Sequence, residues 1–210
     1  MGNFNFSKFI ILILTAFILI FTGCSQKQPQ QEIQTNNLEK IRKSIALNAL
    51  KYLNTKEGTD CSGFVALVNS KNGEPYYKTK ELNNYFTNEY RSKAIYNVMK
   101  SNVRIIKKDT PQIADLVFFS DTLEKTKRKA GSTNITHIGI ITQVDDDGTV
   151  HFIHHSRGRN IMGAVNERYP HLAKYKNKNV NSYLKKCEPK KPKKECLSAF
   201  FLTAYGEIEK

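Results

Sequence analysis

Apolar residues recur in two different rhythms along the chain, and the change of rhythm falls near Pro111. Before it the spacing is helical. Ile41, Ile45, Leu47 and Leu50 predict an amphipathic helix over 38–53, and a turn over 54–59 follows, where Gly58 can take a positive φ. The segment DCSGFVALVNS then places Asp60 as an N-cap and Phe64, Val65 and Val68 as a buried face, so a second helix is expected over 61–69. Tyr90, Ala94, Ile95, Val98 and Met99 predict a third over 88–100. After Pro111 the runs ADLVFFS, THIGIITQV and TVHFIHHS read as strands, the last two joined by a hairpin turn at DDDG, residues 145–148. The polar, basic loop 121–136 separates the first two strands, in a position to form a lip beside a site. Residues 197–205 suit a last helix or a last strand equally. Helices first and strands after imply an α+β domain with helices packed on an antiparallel sheet.

The N-terminus follows neither rhythm. Residues 9–21 form an apolar run broken only by Thr15, preceded by Lys8 and followed by Thr22, Gly23, Cys24 and Ser25. The run is short of the roughly 20 residues that span a bilayer. It resembles a bacterial lipoprotein signal, which implies removal of residues 1–23, a diacylglycerol on the Cys24 thiol and a body held outside the cytoplasm by a membrane anchor. An uncleaved anchor is the alternative, and it leaves the body on the same side. Enteric lipoproteins with Ser after the lipidated cysteine suggest the periplasmic face of an outer membrane, if the cell has one. Residues 24–37, rich in Gln and Asn, read as the lipidated end and a tether. Residues 38–210 suit a single domain.

Charge and cysteines narrow the class. A formal net charge of +14 favours polyanionic partners, and an anchored chain of this kind meets envelope polymers and lipid head groups first. The basic residues are scattered and form no nucleic-acid module, so nucleic acid is not an expected partner and a solvated basic surface is the plainer reading. Cys187 and Cys196 bracket the stretch CEPKKPKKEC, close enough to close a small loop in an oxidising compartment, or else to stay free. Cys61 is then left over, and an unpaired thiol outside the cytoplasm calls for a chemical explanation.

A cysteine in the first turn of a helix lies where unsatisfied N–H groups and the helix dipole favour a thiolate. The Cys61 N–H is also the first candidate donor to an oxyanion. The bland alternative is an inert buried thiol. Strand alternation selects the base among five histidines. With an even-numbered turn, Gly139 faces His154, so His137, Gly139 and Ile141 share a face with Val150, Phe152 and His154, and His137 and His154 are diagonal neighbours. His151 and His155 point the other way, which splits the cluster of residues 151, 154 and 155 and argues against a metal site. Acyl transfer by a cysteine and a histidine requires neither metal nor organic cofactor.

In order, Asp60-Cys61-Ser62-Gly63-Phe64-Val65, Asp115-Leu116-Val117-Phe118-Phe119, His137-Ile138-Gly139-Ile140 and Phe152-Ile153-His154 resemble the NlpC-type cell-wall peptidases, papain-like enzymes related to the CHAP amidases. The resemblance covers residues 38–156 and implies hydrolysis of an amide bond in the peptidoglycan stem peptide, with Cys61 as nucleophile, His137 as base and His154 orienting it. Two departures stand out. LNALKYLNTKEGT replaces the tyrosine-bearing segment that the better-known branch carries before its cysteine, and Ala114 stands where the family usually has Gly. Residues 71–110 and 161–210 match only loosely. The competing readings are a silent lipoprotein that grips wall peptides or a partner, and a hydrolase of a non-wall substrate.

Overall fold

A computed structural model describes residues 29–86, 90–106, 110–127, 129, 131–188 and 193–208, with side chains from residue 36 on. The expected signal 1–23 and the lipidation site Cys24 lie outside the described residues. Leu38–Lys210 forms one compact unit. Among the described residues no helix is long and apolar enough to cross a membrane.

Helix α1, Pro29–Lys51, starts well before the expected position. Proline suits the first helical position, and the Gln and Glu that follow are good helix formers even without an apolar face. Its inward face also differs from expectation. Ile41, Leu47 and Leu50 are exposed, whereas Arg42, Ile45, Ala46 and Ala49 are buried at i, i+3, i+4 and i+7. Short alanines let the helix lie close to the core, and Arg42 reaches across to Asp115 at 2.5 Å. Helix α2, Cys61–Lys71, buries Phe64, Val65 and Val68. A short helix α3, Thr79–Leu82, and a 3-10 turn, Asn83–Tyr85, precede α4, Arg91–Ser101.

The sheet has six antiparallel strands in the order β1-β8-β2-β3-β4-β5. These are β1, Ile105–Ile106, β2, Leu116–Ser120, β3, Ile135–Val144, β4, Val150–Ser156, β5, Arg159–Val165, and β8, Leu202–Gly206. The hairpin β6–β7, Lys174–Tyr175 and Lys178–Asn179, stands apart. The undecided tail is both things in turn: a short helix α5, Ser198–Phe201, leads directly into β8. Alternation sorts the sheet into two layers. Leu116, Phe118, Ile138, Ile140 and Ile153 pack with Phe64, Val65 and Ile95 of the helices. Val117, Phe119, Ile141 and Phe152 turn to the other face, where Leu202 and Tyr205 of β8 join them and Phe201 packs against the layer.

The β3–β4 register corrects the even-turn assumption without disturbing the faces. Val144 pairs with Val150, so the turn has an odd number of residues, Asp145 to Thr149. A bulge at Thr142 then absorbs one residue, and Ile141 pairs with Phe152 and Ile140 with Ile153. The two deviations cancel.

Candidate active site

The turn that delivers Cys61 is held by backbone close approach. Asn54, Gly58 and Thr59 all take positive φ. The Asp60 N–H donates to the Gly58 carbonyl at 2.7 Å, and the Asp60 carboxylate accepts from the Gly63 N–H at 2.7 Å and the Ser62 hydroxyl at 2.8 Å. Asp60 is therefore the N-cap of α2. The role of Gly63 is steric: a Cβ there would stand 1.9 Å from the Gly58 carbonyl oxygen.

The rest of this turn is fixed from far along the chain. Asn160, in β5 and fully buried, donates its side-chain amide to the Tyr52 and Glu57 carbonyls at 3.1 and 3.0 Å and to the Thr55 hydroxyl at 3.2 Å. Its backbone exchanges bonds with Asn54 and Thr55 at 2.8 and 2.7 Å. Because carbonyls only accept, the amide orientation is settled, and the Asn160 Oδ1 faces the His155 Nδ1 at 3.0 Å as acceptor. His155 therefore holds its proton on Nδ1. Nothing in the sequence marked Asn160; only its pairing opposite His155 on the β4–β5 ladder reveals it.

Cys61 is half-buried and unpaired, and its sulfur meets the Ile138 backbone N–H, one residue from His137. Helix α2 packs on β3, which bears both residues. The His137 Nε2 lies 2.6 Å from the His154 Nδ1, with the rings edge to face. Phe119 and Phe152 flank the pair, at 6.1 Å from His137 and 5.1 Å from His154. Gly139 and Gly163 leave room for the Phe152 ring, since a Cβ at either would stand 2.7 or 2.6 Å from it. Of the other histidines, His151 bonds Asp145 at 2.9 Å, away from the pair. Among the described residues no group of three His, Cys, Asp or Glu converges as a metal site would.

Electrostatics differ from the thiolate expected at a helix start. Burial, and then the Asp60 carboxylate, push the Cys61 thiol up to about 11, against the pull of the Ile138, Ser62 and Cys61 amides. Burial, reinforced by His155, holds His137 down to about 4, with Asp60 pulling the other way. Burial and then its neighbours His137 and His155 hold His154 well below the usual imidazole range. At neutral pH the site is a thiol beside two uncharged imidazoles.

The hydrogen bond between the histidines has a cost. With the His137 Nε2–H donating to the His154 Nδ1, the His137 Nδ1 is free to accept a proton, and His154 must carry its own proton on Nε2. That atom is buried and has no partner. An unsatisfied buried N–H costs about 1–3 kcal/mol. The reverse tautomer leaves the His154 Nε2 as an unpartnered acceptor instead and puts a proton on the His137 Nδ1.

Elsewhere Cys187 and Cys196 are joined as a disulfide, with Cα atoms 5.5 Å apart. Comparison with protein-family models matches residues 51–180, well over half of the chain, to the NlpC/P60 family. Neither the curated proteins nor the solved structures compared with it yield a match. The matched stretch runs from the end of α1 past β7 and takes in the cysteine turn and both strands that carry the histidine pair. The chain thus belongs to the NlpC/P60 family, papain-like cysteine hydrolases directed at the cell wall.

Proposed function

We propose that this protein is a lipid-anchored cell-envelope hydrolase that cleaves an amide bond in peptidoglycan stem peptides through Cys61, His137 and His154. The observation that carries the reading is the 2.6 Å contact between His137 and His154 on the strand whose next amide meets the Cys61 sulfur. His137 takes the thiol proton as Sγ attacks the carbonyl carbon, forming the S–C bond. The oxyanion is met by the Cys61 amide at the start of α2. Collapse breaks the C–N bond, and the proton on His137 leaves with the amine. Water, losing a proton to His137, then attacks the thioester and releases the acid, and the proton returns to sulfur. His154 orients His137 throughout. The signal-like N-terminus supports lipidation at Cys24 and a place outside the cytoplasm.

Incubation of the chain with purified peptidoglycan, followed by mass spectrometry of the soluble fragments, tests the proposal. Wild-type protein should release fragments whose new termini name the bond, and Cys61→Ala or His137→Ala should release none while melting like the wild type. Fragments from Cys61→Ala would overturn the mechanism. Their absence with every protein would point to a binding role or another substrate.

A further inference from the structure

A second concave surface lies outside the family match on one wall. The cleft, about 390 Å³, is bounded by residues 124–127 of the loop between β2 and β3 and by residues 185–186, 195–196 and 200–201. Four lysines and two glutamates contribute its charges. Its walls are tied at a fixed separation. The Lys185 Nζ donates to the Thr126 carbonyl at 2.7 Å, and the Lys186 N–H donates to the Glu124 carboxylate at 3.3 Å. The Cys187–Cys196 disulfide clamps the far wall, bringing Lys186 and Glu195 to the same side. The lining also includes two aromatic rings, Phe200 and Phe201, set edge to face at 5.2 Å, with Phe200 exposed. Phe201 belongs to the same apolar layer as Phe119 and Phe152, the rings that flank the histidine pair.

We propose that this cleft is a docking groove for an acidic glycan chain. A groove with lysines on both walls suits a narrow polymer better than the plane of a membrane surface. Lysine without arginine supplies point charges that meet spaced single anions rather than a planar fork-shaped partner. The exposed Phe200 ring, backed by the buried Phe201, matches the apolar C–H face of a sugar ring, which a bare polyphosphate or an acidic polypeptide backbone does not present. Because Phe201 lies in the same apolar layer as Phe119 and Phe152, a bound strand would lie over the sheet face that carries the histidine pair. The assignment of a wall substrate rests on the function proposed above, whereas the groove itself does not.

Binding is measured with the full chain carrying Cys61→Ala, so that cutting does not enter, using polygalacturonate as the acidic glycan, with dextran, polyphosphate and polyglutamate alongside. Polygalacturonate should bind in a salt-dependent manner and better than the other three. Lys125→Glu with Lys127→Glu should weaken it by about tenfold or more. Phe200→Ala should weaken the glycan severalfold while leaving polyphosphate binding unchanged. The same variants in the active background should cleave a small soluble muropeptide at the wild-type rate, with unaltered melting. Equal binding of all three polyanions, insensitive to Phe200→Ala, or no binding of polygalacturonate, would overturn the proposal. Failure of the active chain without groove substitutions to cleave the muropeptide, with polygalacturonate binding intact, would overturn the catalytic reading alone.

Discussion

Burial dominates the chemistry of single residues here. Cys61 is pushed up to about 11 and His137 down to about 4, so each prefers its uncharged form at neutral pH. Thiolate absorbance near 240 nm should accordingly be small at pH 7 and rise only toward about pH 11. A full thiolate signal at pH 7 would show an ion pair instead. The acid limb of kcat/KM should fall as pH drops through about 4, because His137 must be neutral to accept the proton. Stability follows the same sign. His137 and His154 have depressed folded pKa values, so the stability they confer is present above their unfolded value and is lost as pH falls below it. At His154, asparagine places Oδ1 where the ring has Nδ1 and so keeps an acceptor for the His137 N–H, which alanine does not. His154→Asn should therefore keep more activity than His154→Ala. The adjacency of His137 and His154 was legible in the sequence because both are chemically distinctive residues in patterned strands. Their protonation states were not, because desolvation depends on what the rest of the chain packs over them.

At the level of elements, the strands and helices that bear the histidines and the thiol were readable from period alone, since β3, β4 and α2 each have one strongly patterned face. Strand β5, read as a loosely matching segment, was missed because RNIMGAV alternates poorly and gains its order from β4. The loss of the family's glycine before Asp115 now has a physical meaning. Ala114 sits at φ 70, buried, where the chain turns into β2, and its carbonyl accepts the Tyr76 hydroxyl at 2.7 Å. A left-handed alanine costs about 1–2 kcal/mol, part of which glycine gives back through its freer unfolded chain. Ala114→Gly should raise the stability by about 0.5–1 kcal/mol, seen as a higher denaturation midpoint with an unchanged denaturant slope. A lower midpoint would mean that the methyl group's packing outweighs the strain.

Across the whole molecule, the site draws on parts that are remote in sequence. Arg42 in α1 and Asp115 beside β2 join the first helix to the sheet through a buried ion pair, and Asn160 joins β5 to the turn before Cys61. Asn160→Leu, similar in volume, removes three side-chain bonds to that turn and leaves the buried His155 Nδ1–H without its acceptor. It should lower stability by about 2–4 kcal/mol and reduce turnover more than affinity, because the nucleophile loses its seat. Unchanged turnover in the folded variant would show that the turn holds itself. Long-range ties of this kind are invisible to periodicity, which is a local property of the chain. They also set an order of events in folding. The bonds from Asn160 close a loop of about a hundred residues, so the encounter is slow and late compared with the formation of α2 or the β3–β4 hairpin. A chain still growing, or cut before β5, therefore has its cysteine but not the geometry around it, and the enzyme acquires its reactivity only when its last third has docked.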